Sequence, residues 1–110
     1  MKIKDILKRE YIEKIYVHDE ETEVKNGYIG DLLSEIMRNA PEESIWLTHQ
    51  THPNIIAVAS IVGAKVIIIP EGFNFAEETI EKAKENQITL LKSKKNIFET
   101  TGEIYNLINR

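Results

Sequence analysis

The stretch SIWLTHQTHPNIIAVASIVGAKVIIIPEG, Ser44 to Gly72, decides the fold. Ser44-Ile45-Trp46-Leu47-Thr48 reads as a strand buried on both faces, because its apolar residues are continuous rather than alternating. Pro53 suits the opening of the next helix, where a missing N–H costs nothing. That helix, Ile55 to Val62, is apolar nearly all round, and Gly63 is a natural residue just past its end. Val66-Ile67-Ile68-Ile69 then reads as a central strand, since β-branched residues fill it without alternation. Strand, helix and strand in this order make a βαβ unit with parallel strands and a right-handed crossover.

The same alternation extends outward on both sides. Upstream, residues 3–10 allow a short helix with Ile3, Ile6 and Leu7 on one side. Ile15-Tyr16-Val17 and Val24 to Ile29 read as short extended segments on either side of the acidic turn Asp19-Glu20-Glu21. Asp31 suits an N-cap, and Leu32, Leu33, Ile36 and Met37 give the following helix its apolar face until Pro41 ends it. Downstream, Asn74 and Glu77 have capping-box spacing for a helix over roughly 75–86. Its narrow stripe of Ala76, Ile80 and Ala83 predicts a mostly solvated element. Ile88 to Leu91 make a last strand. Asn96 and Glu99 repeat the capping spacing, and Ile97, Phe98, Thr101, Ile104, Tyr105 and Ile108 define the face of a final helix. The expectation is a small three-layer α/β/α domain over residues 1–110, with a mainly parallel sheet of four to five strands.

Composition narrows the function classes. The chain has 110 residues, room for one hydrophobic core, with 42% apolar and 29% charged residues. Eighteen acidic against fourteen basic residues give a net charge of −4, and no Lys/Arg run could neutralise a phosphate backbone. Nucleic acid is therefore not an expected partner. Absence of cysteine removes disulfides, thiolate nucleophiles and Cys-ligated zinc. No apolar run approaches the roughly 20 residues that span a bilayer. Met1-Lys2-Ile3-Lys4-Asp5 leads into mixed charge rather than a signal-peptide core, so cytoplasm is the expected location and no membrane the expected partner.

Catalytic signatures are missing. The five glycines, Gly27, Gly30, Gly63, Gly72 and Gly102, are none of them followed by Lys, so no phosphate-cradling loop is present. No two have Gly-x-Gly spacing, and no serine sits in a Gly-x-Ser-x-Gly elbow. With His18, His49 and His52 as its only imidazoles and no activated nucleophile, the chain is expected to be non-enzymatic, with no catalytic residues and no cofactor.

The polar segment Thr48-His49-Gln50-Thr51-His52-Pro53-Asn54 is the strongest candidate site. It follows a strand and opens a helix, which is where parallel sheets take ligands and where backbone N–H groups favour an anion. Two imidazoles and an amide add donors. The structural alternative is that Thr51 or His52 caps the helix and Gln50 bonds backbone. Gly27-Tyr28 either lets backbone approach a ligand or makes a tight turn. Glu71 and Gly72 lie at the neighbouring strand end. His49 and His52, three apart, match no zinc signature, so no metal is expected.

GYIGDLLSEIM (Gly27 to Met37), WLTHQTHPNIIAVAS (Trp46 to Ser60) and VIIIPEG (Val66 to Gly72) together resemble the DRTGG family, nearest its small stand-alone members. The resemblance spans essentially the whole chain. Similar domains are embedded in phosphate acetyltransferases and CBS-containing pyrophosphatases and, more distantly, at the N-terminus of HPr kinase/phosphorylase. The resemblance implies a regulatory or ligand-sensing role away from any catalytic site. The letters of the name depart here: Thr51-His52 stands where Asp-Arg would, and Pro70-Glu71-Gly72 where Thr-Gly-Gly would, so only the last glycine matches. The implied function is a regulatory module binding an anionic or nucleotide-like small molecule at the strand ends. The alternative is a homodimeric adaptor for a protein partner. A helix with no polar face, Ile55 to Val62, needs cover all round, and either neighbouring helices enclose it or a second subunit does; a homodimer is the favoured expectation.

Overall fold

The computed structural model describes residues 1–109; Arg110, the last residue of the expected 1–110 domain, lies outside the described residues. The elements run α1 (Ile3–Leu7), β1 (Ile12–Tyr16), β2 (Asn26–Ile29), α2 (Leu33–Asn39), β3 (Ser44–Leu47), α3 (Asn54–Val62), β4 (Ala64–Ile69), α4 (Glu77–Asn86), β5 (Thr89–Ser93) and α5 (Ile97–Ile108). One sheet carries all five strands in the order β1-β5-β4-β3-β2. β2 to β5 are mutually parallel, and β1 closes the far edge antiparallel to β5. The mainly parallel α/β/α architecture read from the sequence is the observed one.

From β2 to β5 every crossover steps one strand in the same direction. A constant hand then puts every crossover helix on the same face. Residues of α2, α3 and α4 accordingly share one core with Trp46, Ile67, Ile69 and Leu90. The opposite face, Ile45, Leu47, Val66, Ile68 and Leu91, is left to α1 and α5, through Ile3, Ile6, Ile104 and Leu107. β3 and β4 alternate between these two cores, which is why their sequences are apolar at consecutive positions.

α3 differs from the expectation of a helix needing cover all round. α2 and α4 flank it and the sheet lies beneath, so Ile55, Ile56, Val58, Ala59 and Val62 are buried within the chain. Asn54, Ala57, Ser60 and Ile61 face solvent, and Ile61, 65% exposed, is the one large apolar side chain among them. Of the two ways to cover this helix, neighbouring helices and the sheet supply it, so the burial of α3 does not call for a second subunit. Gly63 ends the helix at φ +79°, donating its N–H to the Ala59 carbonyl at 2.9 Å.

Other local readings shift. On α2 only Ile36 is buried, with Leu33 and Ala40 half-buried against the same core, while Leu32 and Met37 are exposed. α4 begins at Glu77 after Ala76, with no side-chain cap. Burial of Phe75 holds the preceding chain extended, and Asn74 Oδ1 instead accepts from Lys92 Nζ at 2.7 Å. Asn96 does cap α5, its Oδ1 accepting the Glu99 N–H at 2.9 Å. The buried stripe of α5 is Thr100, Ile104 and Leu107, so Phe98 and Tyr105, expected on its packed face, lie outside.

Ile67→Ala, at a site with no exposure in the central strand, is expected to cost about 2–5 kcal/mol in urea unfolding. Ile61→Ala, on the solvated side of the apolar helix, is expected to stay within about 0.5 kcal/mol of wild type.

Candidate functional site

The strand ends at β2, β3 and β4 build a polar rim around Asp31. Gly30, just past β2, is tied to β3 by its N–H to the Leu47 carbonyl at 3.1 Å, and its carbonyl accepts from Trp46 Nε1 at 2.9 Å. That fixes where Asp31 emerges. Its Oδ1 accepts from the Thr48 hydroxyl at 2.8 Å and the His49 N–H at 2.7 Å, while Oδ2 lies 2.9 Å from His49 Nδ1. The Gln50 side-chain amide donates to the Asp31 carbonyl at 2.9 Å. Thr48 is wholly buried, and its oxygen also accepts the Gln50 N–H at 3.1 Å. Asp31 is thus no helix cap: Leu32 occupies the N-cap position of α2, and the carboxylate turns to the β3 loop instead, where three donors meet it.

An ionised carboxylate only accepts, so the proton of this contact sits on His49 Nδ1 and the Nε2 edge is left for other partners. The ring is tilted 59° against Phe73, with centroids 5.0 Å apart. Phe73 follows the turn at Gly72, whose φ of +85° is the left-handed conformation that glycine adopts freely. Partial burial pushes the Asp31 carboxyl up, but hydrogen bonds from the His49 backbone and ring and from Thr48, with the attraction of His49, outweigh it and leave the group below its ordinary value.

The candidate residues do not form a single cluster. Thr48, His49 and Gln50 come together on Asp31. Thr51 is half-buried and held through its backbone, its carbonyl accepting from the Thr79 hydroxyl at 2.7 Å and the Ala76 N–H at 3.3 Å. His52 and Asn54 are exposed at the start of α3, which no side chain caps; of the structural alternative, only the Gln50 backbone bond is realised. Glu71 is exposed in the next loop, where its N–H meets the Lys95 carbonyl at 3.0 Å, with Gly72 beside it. Gly27 and Tyr28 do not reach the rim. Gly27 looks toward α5, where a Cβ would meet Ile108 at 3.4 Å, and the Tyr28 hydroxyl donates to the Glu35 carboxylate. In the sequence Asp31 has the local chemistry of a cap, and Phe73 carries no signal beyond its place directly after a strand-end Gly.

Topology argues against a deep crevice at the rim. Crevices open in parallel sheets where adjacent loops depart to opposite faces. The loops after β2, β3 and β4 all lean to the α2–α4 face, and divergence begins only between β4 and β5. The larger hollows, about 520 Å³ and about 670 Å³, lie instead along α5. Among the described residues, no three His, Asp or Glu side chains gather into a metal-holding group, and no helix is long and apolar enough to cross a membrane.

A crystal structure of the CBS and DRTGG domains of the regulatory region of Clostridium perfringens pyrophosphatase, complexed with the activator diadenosine tetraphosphate, superposes on this chain with a TM-score of 0.65. The two share a fold. Identity is 16%, and the match covers 83% of this chain but 40% of that one, so the chain spans well under half of its neighbour's length. No family model matches the sequence. No curated protein matches it either.

Because the folded-state carboxyl of Asp31 is lowered, its contribution is complete above the unfolded value of about 3.9 and is lost as pH falls through the folded value. Asp31→Ala is expected to cost about 1 kcal/mol at neutral pH, an amount discounted for its partial exposure. Melting curves recorded from about pH 6 downward should show the gap between wild type and variant closing below about pH 4. A gap independent of pH would mean that the carboxylate charge is not what holds the rim.

Proposed function

We propose that this chain is a non-enzymatic, cytoplasmic regulatory module of the DRTGG type that senses an anionic, nucleotide-like small molecule on the rim around His49. The observation that carries the reading is the His49 ring, oriented by Asp31, with its Nε2 edge uncommitted and its face against Phe73. An aromatic ring and an oriented imidazole offer a stacking surface and a hydrogen-bonding group for a flat base. The uncapped start of α3, with His52 and Asn54 exposed beside it, offers donors to an anionic group. Thr48 and Gln50 serve by holding Asp31, and Glu71 and Gly72 border the site through the loop that carries Phe73. The fold likeness to a regulatory region crystallised with a nucleotide activator supports the same reading. Missing phosphate-loop glycines and the absence of any triad favour sensing over catalysis.

Thermal denaturation against diadenosine tetraphosphate, mononucleotides and phosphorylated metabolites tests it. A ligand present at 100 times its Kd adds about 2.7 kcal/mol, a shift of several degrees in a domain of this size. Calorimetric titration should then show His49→Ala and Phe73→Ala weakening binding at least about tenfold, or about 1.4 kcal/mol, with the fold intact by circular dichroism. A panel without any shift, or a ligand held equally by both variants, would remove the rim from the function.

A further inference from the structure

The rim has a polarity as well as a place. The Thr48 hydroxyl at 2.8 Å and the His49 N–H at 2.7 Å both meet Asp31 Oδ1, which leaves Oδ2 to His49 Nδ1 at 2.9 Å. A carboxylate is ionised at neutral pH and has no proton to give, so Nδ1 must hold the one between them. In a neutral imidazole Nε2 then carries a lone pair, and among the described residues no donor takes it. The free edge of the ring is therefore an acceptor. It disfavours the oxygens of a phosphate or a carbonyl and pairs with an N–H donor.

Phe73, 39% exposed, stands beside this edge with its ring tilted 59° from that of His49. A base lying flat on Phe73 shares that tilt, so it presents an edge to His49 rather than a face. The group that projects furthest from the edge of a base is its exocyclic substituent. In adenine and cytosine this is an amino group, a donor; in hypoxanthine and uracil the same position holds an oxygen, an acceptor.

We infer that Asp31, by fixing the tautomer of His49, makes the rim select nucleotides with an amino-bearing base, adenine or cytosine, over their oxo counterparts. This rests on the reading of the rim as a nucleotide-sensing site. Asp31 is a positioning residue here: it decides which ring nitrogen of His49 carries the proton, and His49 meets the base. Asp31→Asn reverses that polarity at nearly constant shape. The His49 N–H only donates, so the amide oxygen keeps the place of Oδ1 and the amide nitrogen takes that of Oδ2. The amide then donates to Nδ1, the ring proton moves to Nε2, and the free edge becomes a donor.

Two measurements at pH 8, above the ordinary imidazole range, test this. Nitrogen-15 NMR of the imidazole distinguishes a protonated nitrogen from one with a lone pair. His49 is expected as the Nδ1–H form in wild type and as the Nε2–H form in Asp31→Asn. Calorimetric titration with adenosine, inosine, cytidine and uridine 5′-monophosphates reads the selectivity. Wild type is expected to hold adenosine over inosine and cytidine over uridine monophosphate by about threefold to tenfold, the range of one hydrogen bond at a partly exposed site. Asp31→Asn should reverse both orders, whereas a purely structural Asp31 would weaken all four nucleotides alike. His49→Phe keeps an aromatic ring and should bind the members of each pair equally, which decides the matter even where Asp31→Asn does not fold. An Nε2–H in wild type overturns the inference. Equal binding within the pairs by wild type, or a preference that survives in Asp31→Asn or His49→Phe, overturns it while leaving the rim as a nucleotide site. Failure of all four to bind overturns it together with the reading on which it rests.

Discussion

The constraint on which this structure depends is the two-sided burial of β3 and β4. Eight side chains, Ile45, Trp46, Leu47, Val66, Ile67, Ile68, Ile69 and Leu90 from the adjoining strand, are sealed from solvent, and they point to both faces of the sheet. At about 25 cal/mol per Å² of apolar surface, leaving either face open would forfeit about 1.5–3 kcal/mol for each large aliphatic side chain exposed. Both faces must therefore be covered by a chain of only 110 residues. Since three successive crossovers step the same way, three helices go to one face, and the other receives the five-residue α1 and the single long helix α5.

That uneven division of helices explains two features that otherwise look unrelated. The first is the rim's lack of a topological switch point. Loops that all lean one way leave no crevice, so any ligand there rests on an ordered surface rather than in a cavity. Asp31 supplies the order: one carboxylate collects the Thr48 hydroxyl and both donors of His49, and its backbone carbonyl collects Gln50. A segment with no regular secondary structure is held by hydrogen bonds that the strand ends cannot supply themselves. The second is the open surface beside α5. One helix cannot cover both the middle of the sheet and its β2 edge, and the hollows along α5 mark where cover is thin.

The ion pairs contribute little to this arrangement. Lys2 and Lys4 meet Glu21, Lys25 meets Glu43, and Lys84 meets Glu81, all at exposed positions where such pairs are worth about 0–1 kcal/mol. Their role is local: the Glu21 contacts and the Ile3 N–H to Thr22 carbonyl bond pin the acidic turn to α1, which helps the short helix keep its place over the sheet.

The alternation of elements, the parallel sheet, the central strands and the end of α3 at Gly63 were all legible in the sequence. Each is set by short-range rules: periodicity, β-branching, and the few residues that tolerate a positive φ. The location of a polar rim after β3 was legible for the same reason, since Thr48 to Asn54 is a polar run between two apolar elements. Tertiary structure alone decided which partner each polar or amphipathic residue takes. Asp31 suits a helix cap by local chemistry, yet three donors from a loop distant in sequence outbid one helical N–H. Asn74 has the spacing of a cap, yet burial of Phe75 pulls the chain out of helical geometry and gives the amide to Lys92. Gly27 and Tyr28 share a sheet with the rim but do not reach it, because consecutive strand residues turn to opposite faces: Gly27 lies against α5, and the Tyr28 hydroxyl is taken by Glu35 of α2. The rotation of α5, which leaves Phe98 and Tyr105 outside, was ambiguous from periodicity: apolar residues run around more than one side of that helix, and only packing against Leu47 and Ile68 of the sheet selects Ile104 and Leu107 as the buried pair.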